Sequence, residues 1–405
     1  MSEKKMQYVK LGNSGLKVSK IILLPSLVAY GTPEWADWVL PEKEGIEHIK
    51  YAYSRGVNTF DTANVYSGGE SEVVLGKALK EIGCPRESIV VLTKVFNPVF
   101  KGKQMDMPKQ LDQNGFVNQH GLSRKHIFES VKLSLERLQL DYVDVLQCHR
   151  FDPETPISET MQALHDIVQA GYVRYIGMSS CWAYQFQAMQ NYAINKNLTP
   201  FISMQNFHNA AYREEEREMM PTLKMMGVGC IPWSPLHRGY LTRPWTAQAT
   251  VRVESDVGYK SRGLHQPDEP TKAINERVEE VAKKKGVPMA QVALAWSLAC
   301  DFVTAPIVGS TSLERLEELI DGIHVTLTPE EKKFIDEPYA PRAITFILEY
   351  PNLLKLSKRL SISQTRPLTL VLVPNLETGT TRDQYGWGIV PVSVLVVSII
   401  FIARN

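Results

Sequence analysis

VNTFDTANVY (57–66), IVVLTK (89–94) and YVDVLQCH (142–149) are three short apolar runs that each deliver a chemically active side chain at or just past their ends. They are continuous and rich in Val and Ile, the pattern of strands buried on both faces. The first carries Asp61 and, five residues later in the following loop, Tyr66; the second carries Lys94 and the third His149. Three successive strands therefore bring a carboxylate, a phenol, an ammonium and an imidazole to one side of a sheet.

The alternation continues outward from these runs. Strands are expected at 20–24, 57–60, 89–94, 143–147, 173–177, 201–205, 228–232 and 303–308. Helical periodicity falls between them at 123–138, 156–170, 184–193, 213–226 and 288–299. Ser123 is a candidate N-cap and Pro288 a first-turn proline. Residues 6–19 read as a hairpin around a turn from Gly12 to Gly15. Eight strand–helix units are the count for an α/β (β/α)8 barrel, here with an N-terminal hairpin. A doubly wound sheet is the runner-up, but it wants a G-x-G-x-x-G turn. Gly227-Val228-Gly229 lacks the third glycine, and a strand follows it rather than a helix. Stretches 97–122 and 235–270 read as long loops, which on a barrel serve function.

Composition bounds the partners. The 405 residues are 44% apolar and 22% charged, as in a soluble globular protein. A net charge of +1 gives no electrostatic case for nucleic acid or an anionic membrane. Five scattered cysteines without CxxC point to reduced thiols and a cytoplasmic setting. MSEKKMQYVK has no apolar core behind its charges, so no secretory signal is expected.

The four strand-end residues suit carbonyl reduction. A carbonyl accepting hydride develops charge on oxygen and needs a proton. A tyrosine hydroxyl, with an ordinary pKa of about 10, is too weak an acid to give it efficiently near neutrality, and a lysine ammonium close by stabilises the phenolate and lowers that value. Lys94 would supply that cation, Asp61 would hold it, and His149 would orient the carbonyl. Singly, each residue has a plainer reading as an ion pair, a core histidine or a rim tyrosine.

At this point the chain resembles the aldo-keto reductase superfamily, in its fungal aryl-alcohol dehydrogenase and versiconal-reductase-like branch. The resemblance rests on NTFDTANVYSGGESEVVLGKAL (58–79), VLTK (91–94), LQCHRFD (146–152) and GYVRYIGMSS (171–180). It continues through SMQNFHNAAYREEERE (203–218), PWSPLHRGYLTRP (232–244) and PIVGSTSLERLEE (306–318), and spans about residues 6–342. It implies a barrel binding NADP(H) without a Rossmann motif, and a small-molecule carbonyl as substrate. Tyr66 would be the proton donor, Lys94 its tuner, Asp61 the partner of Lys94 and His149 the carbonyl binder. Ser179, Ser180 and Gln205 would hold the nicotinamide carboxamide, and Trp233 would lie against the ring, with Ser234 and Leu236 beside it. A helix N-terminus around Gly309, Ser310 and Thr311, with Arg315, would take the adenosine 2′-phosphate, and Glu318 would sit near the adenine. The first strand departs from the pattern, with Leu24 and Pro25 where glycine and a small residue are expected.

The family pattern fades near 342, so 1–342 is expected to be the barrel and 343–405 a separate tail. The tail ends in an apolar run, 389–403, near the lower limit of about 17 residues for a membrane span. It reads either as a membrane anchor or, the reading favoured here, as the product of a retained intron or shifted frame. The functional reading is an NADP(H)-dependent reductase of aryl or polyketide-like aldehydes and ketones. A non-catalytic NADPH-binding regulatory subunit is the alternative. A metal-dependent hydrolase ranks last, for want of a His-x-His pair or clustered acids, and no metal site is expected.

Overall fold

The computed structural model describes residues 5–24, 30–103, 110–248 and 268–347. The tail from 348 onward, with its 389–403 run, and Pro25 lie outside the described residues. Strands β1 (Tyr8–Lys10) and β2 (Lys17–Ser19) form the expected hairpin, with Val9 opposite Val18. Eight parallel strands follow: β3 (Ile22–Leu23), β4 (Thr59–Asp61), β5 (Val90–Val95), β6 (Val143–Cys148), β7 (Val173–Ser179), β8 (Phe201–Gln205), β9 (Gly229–Cys230) and β10 (Ile307–Val308). Their order is β10-β3-β4-β5-β6-β7-β8-β9. Bridges from Cys230 to Val303 and from Trp233 to Ile307 join β9 to the β10 segment. The sheet therefore closes on itself, and the fold is the (β/α)8 barrel.

Helices wrap the strands: α1 (Glu42–Ser54), α2 (Glu70–Ile82), α3 (Arg124–Leu138), α4 (Ile157–Gln169), α5 (Ala183–Asn195) and α6 (Met219–Met226). The set continues with α7 (Glu269–Lys285), α8 (Met289–Leu298), α9 (Leu313–Gly322) and α10 (Pro329–Asp336). Ser123 caps α3, accepting the His126 amide at 3.2 Å. The hairpin plugs the barrel. Leu11 and Val18, both fully buried, pack with Ile22, Val90, Val145 and Ile231 in the interior. Gly12, at φ 58°, makes the plug fit, since a Cβ there would stand 2.6 Å from the Gly227 carbonyl oxygen and from the Gly229 nitrogen. The Gly227-Val228-Gly229 stretch is thus a seat for the hairpin turn.

Two expectations need correction. The single helix expected over 213–226 breaks into a 3₁₀ turn, Glu214–Glu216, and the shorter α6. Tertiary partners capture the turn's carboxylates. Glu214 accepts from Tyr339 Oη at 2.6 Å and the Arg342 amide at 2.7 Å, and Glu216 accepts from Arg213 and lies 2.9 Å from His208 Nε2. Residues assigned to the tail also pack on the barrel. The Thr345 amide donates to Tyr212 Oη at 3.0 Å, and Phe346 is buried 4.6 Å from Phe207, centroid to centroid.

Glu215 is buried in that turn and accepts from Asn206 Nδ2 at 3.1 Å. Burial, reinforced by the Glu214 charge, pushes its carboxyl up to about 8. The unfolded chain gives up this proton at lower pH, so the folded state loses stability between about 4.5 and 8. Glu215→Gln should remove that slope. Its stability relative to wild type should rise from pH 5 to pH 8, by up to about 1.4 kcal/mol per pH unit, in denaturant titrations at both values.

Candidate active site

Strand alternation decides what enters the barrel. On β5, Val90 and Leu92 join the interior cluster, while Val91 and Val95 pack under the helices, so Lys94 shares the interior parity. On β6, Val145 is interior and Leu146 and Cys148 face the helices, which gives Gln147 and His149 the same inward parity.

Asp61 and Lys94 are both completely buried. Lys94 Nζ donates to Asp61 Oδ2 at 2.5 Å and to the Thr62 carbonyl at 2.8 Å. Asp61 Oδ1 accepts from Gln147 Nε2 at 2.8 Å and from Gln205 Nε2 at 3.2 Å. Tyr66 is not in irregular loop, as expected, but opens a 3₁₀ turn, Tyr66–Gly69. Ser67, Gly68 and Gly69 there have φ of 50°, 63° and 97°, which folds the chain sharply after Tyr66. Tyr66 Oη lies 3.4 Å from His149 Nε2, with the rings edge to face, and Lys94 Nζ lies 4.9 Å from the tyrosine ring centroid. The structure therefore brings all four strand-end residues together.

The electrostatics of the group differ in one respect from expectation. Burial pushes the Tyr66 phenol above its ordinary 10, and the Lys94 charge only partly offsets this. A buried hydroxyl resists ionisation unless its anion is stabilised. His149 goes the other way: burial, then Arg150 and Lys94, hold its imidazole well below 6.5, so it is neutral.

Beyond this group runs a cleft of about 1720 Å³, larger than the range of drug-sized sites. Tyr66, His149, Ser179 and Gln205 line it, together with Trp233, Ser234 and Leu236 and with Gly309, Ser310, Thr311, Arg315 and Glu318 from the segment after β10. Ser179 Oγ donates to the Gln205 carbonyl at 2.7 Å, and Ser180 Oγ accepts from Trp233 Nε1 at 3.3 Å. The Trp233 ring is held against Phe207 at 4.6 Å and Phe346 at 4.9 Å. The loop after β9 is strained, with Ser234, His237 and Arg238 at φ 55°, 48° and 56°. Such backbone persists where surroundings over-determine it, commonly at functional sites. The helix expected around 309–311 begins instead at Leu313 with Ser312 as its cap. The Ser310 hydroxyl receives the Ser312 amide at 3.2 Å, and this turn delays the helix.

Sequence reading missed four residues here. Gln147 was hidden as a neutral amide inside an apolar run, although stepping back two residues from His149 would have found it. Arg150 lines the cleft beside His149. Arg243 lines it near Arg315, and burial with the Arg315 charge lowers its pKa. Phe346 also lines it, from a segment beyond the expected barrel.

The aldo/keto reductase family model matches residues 28–340. The chain belongs to the aldo/keto reductase family. It is 48% identical over 344 residues to a versiconal hemiacetal acetate reductase of Aspergillus parasiticus, covering 84% of this chain and 98% of that protein. It is 48% identical over 345 residues to a putative aryl-alcohol dehydrogenase of Schizosaccharomyces pombe, covering 82% and 96%. A putative aryl-alcohol dehydrogenase of Saccharomyces cerevisiae is 44% identical over 345 residues, covering 83% and 98%. As an aldo/keto reductase, the chain is an oxidoreductase acting on a small-molecule carbonyl, in a family that generally uses NAD(P)H. Among the described residues, no helix is long and apolar enough to cross a membrane.

Burying an ion pair makes each partner depend on the other. Asp61→Asn should destabilise the protein by about 3–5 kcal/mol, because Lys94 is left as an uncompensated buried charge. Asp301→Asn, in the exposed pair with Lys224, should leave stability unchanged. Chemical denaturation of the two variants checks the contrast.

Proposed function

We propose that the chain is an NADP(H)-dependent reductase of aryl or polyketide-like aldehydes and ketones, reversible toward the alcohols. The observation that carries the reading is the Tyr66 hydroxyl, set on the inner wall of the cleft, 3.4 Å from the His149 imidazole and beside the dry Lys94–Asp61 pair. A bound nicotinamide would supply hydride to the carbonyl carbon. Tyr66 would donate the proton to the carbonyl oxygen. Its raised pKa keeps that proton in place at neutral pH, and Lys94 stabilises the phenolate as the proton leaves. His149, being neutral, would hydrogen-bond the carbonyl oxygen through Nε2 without competing as an acid.

The cleft suits the cofactor. Ser179, Gln205 and Trp233 would hold the nicotinamide, with Ser180 supporting Trp233. Arg243 lies close enough to Arg315 to feel its charge, and two neighbouring guanidiniums favour a multiply charged phosphate. Ser310 and Thr311 add hydroxyls there. This supports NADP(H) over NAD(H). Trp35, Trp38, Phe96 and Phe346 give the cleft aromatic walls, which fit an aryl substrate. The relatives are named for a hemiacetal acetate and for aryl alcohols, in keeping with that chemistry. Five unpaired cysteines fit a reducing, cytoplasmic setting.

The test is a screen of NADPH oxidation with aromatic aldehydes and ketones. Turnover is expected, with Tyr66→Phe lowering kcat by about 10²–10⁴ while NADPH binding stays within a few-fold. Arg243→Leu should weaken NADPH far more than NADH. Tight NADPH binding without turnover on any carbonyl would favour a regulatory subunit instead.

A further inference from the structure

We propose that Gln147 is a positioning residue that orients two groups at once: the Asp61 carboxylate beneath Lys94, and the carboxamide of Gln205 at the cleft wall. The inference rests on the nicotinamide-binding reading of Gln205 given above.

Gln147 is fully buried on β6, two residues before His149. Its Nε2 donates to Asp61 Oδ1 at 2.8 Å, and its Oε1 accepts from Gln205 Nε2 at 3.0 Å. Gln205 Nε2 also donates to Asp61 Oδ1 at 3.2 Å. An ionised carboxylate only accepts hydrogen bonds, so both amides must turn their NH2 groups toward Asp61. With its NH2 so turned, Gln147 can offer Gln205 only an oxygen. Both N–H bonds of Gln205 are then spent, one on Asp61 and one on Gln147. The Gln205 carbonyl oxygen is what remains for the cleft, an acceptor matched to the NH2 of a primary carboxamide.

The barrel makes room for this arrangement. Gln147 sits on β6 and Gln205 on β8, so the Gln147 side chain must cross β7. The residue paired with Gln147 on β7 is Gly177. A Cβ at Gly177 would stand 3.1 Å from Gln147 Cγ and 2.4 Å from Ser203 Oγ. The absence of a side chain there opens the path from one amide to the other. Without Gln147, Gln205 would keep only the longer 3.2 Å bond to Asp61 to hold its NH2 away from the cleft, and Asp61 would lose one of its three donors.

The experiment measures Kd for NADPH and for its reduced 3-acetylpyridine analogue, whose methyl ketone lacks the NH2 donor, by protein fluorescence quenching. Wild type should favour NADPH. In Gln147→Met the preference should shrink by roughly three- to tenfold, the value of one neutral hydrogen bond. Its kcat should fall while KM for the carbonyl holds. Gln147→Glu gives a readout that a merely structural role would not move. Protonated, the glutamic acid can donate to Asp61 and accept from Gln205, so the preference should be wild-type at acid pH. Ionised, it still accepts from Gln205 but can no longer donate to Asp61, so the preference should persist while kcat relative to wild type falls as pH rises. If Gln147→Met does not fold, the Gln147→Glu pH series decides alone. A preference unchanged in Gln147→Met, or a kcat in Gln147→Glu that does not fall relative to wild type as pH rises, overturns the proposal while wild-type turnover leaves the reductase reading standing. If wild type binds no NADPH, the reductase reading itself fails.

Discussion

A lysine and an aspartate with no solvent exposure sit inside the barrel, and the rest of the site is built around keeping them there. Removing two ions from water costs several kcal/mol each, which their attraction offsets only if the remaining hydrogen-bonding capacity is filled. Asp61 meets that condition with donors from β5, β6 and β8: Lys94, Gln147 and Gln205. Lys94 adds the Thr62 carbonyl. The condition ties four strands into one register. Slipping β5 by one residue would send Lys94 toward the helices and leave Asp61 unpaired.

The same pair gives the tyrosine its character. Burial alone would make Tyr66 a poor acid, and the ammonium 4.9 Å from its ring tempers that without reversing it. In the proposed reaction the donor would therefore be loaded at rest and would yield its proton as charge develops on the carbonyl oxygen. His149, kept neutral by burial and then by Arg150 and Lys94, would contribute direction and no competing proton.

Much of this was legible in the sequence. Asp61, Lys94 and His149 end apolar runs, and a barrel gathers strand ends on one face. Tyr66 was legible as a neighbour but not as the head of a 3₁₀ turn, because Ser67 adopts a left-handed conformation unusual for serine. The helix over 213–226 failed where Glu214 and Glu216 were drawn to partners more than a hundred residues away or across a turn, a tertiary override of periodicity. Arg243 and Phe346 reach the cleft from loop and terminal segments that strand-end logic does not address. Phe346 is instructive: it lies past the point where the family pattern fades, yet it buries its ring against Phe207 and Trp233.

The most direct test of the account is the titration of Tyr66 itself, by NMR of protein labelled at tyrosine Cζ, with the resonance assigned by its loss in Tyr66→Phe. The account predicts that Tyr66 ionises above pH 10 in the wild-type protein without cofactor, and at still higher pH in folded Lys94→Met. An unchanged or lowered pKa in Lys94→Met would mean that the lysine charge does not act on the phenol, and would contradict it.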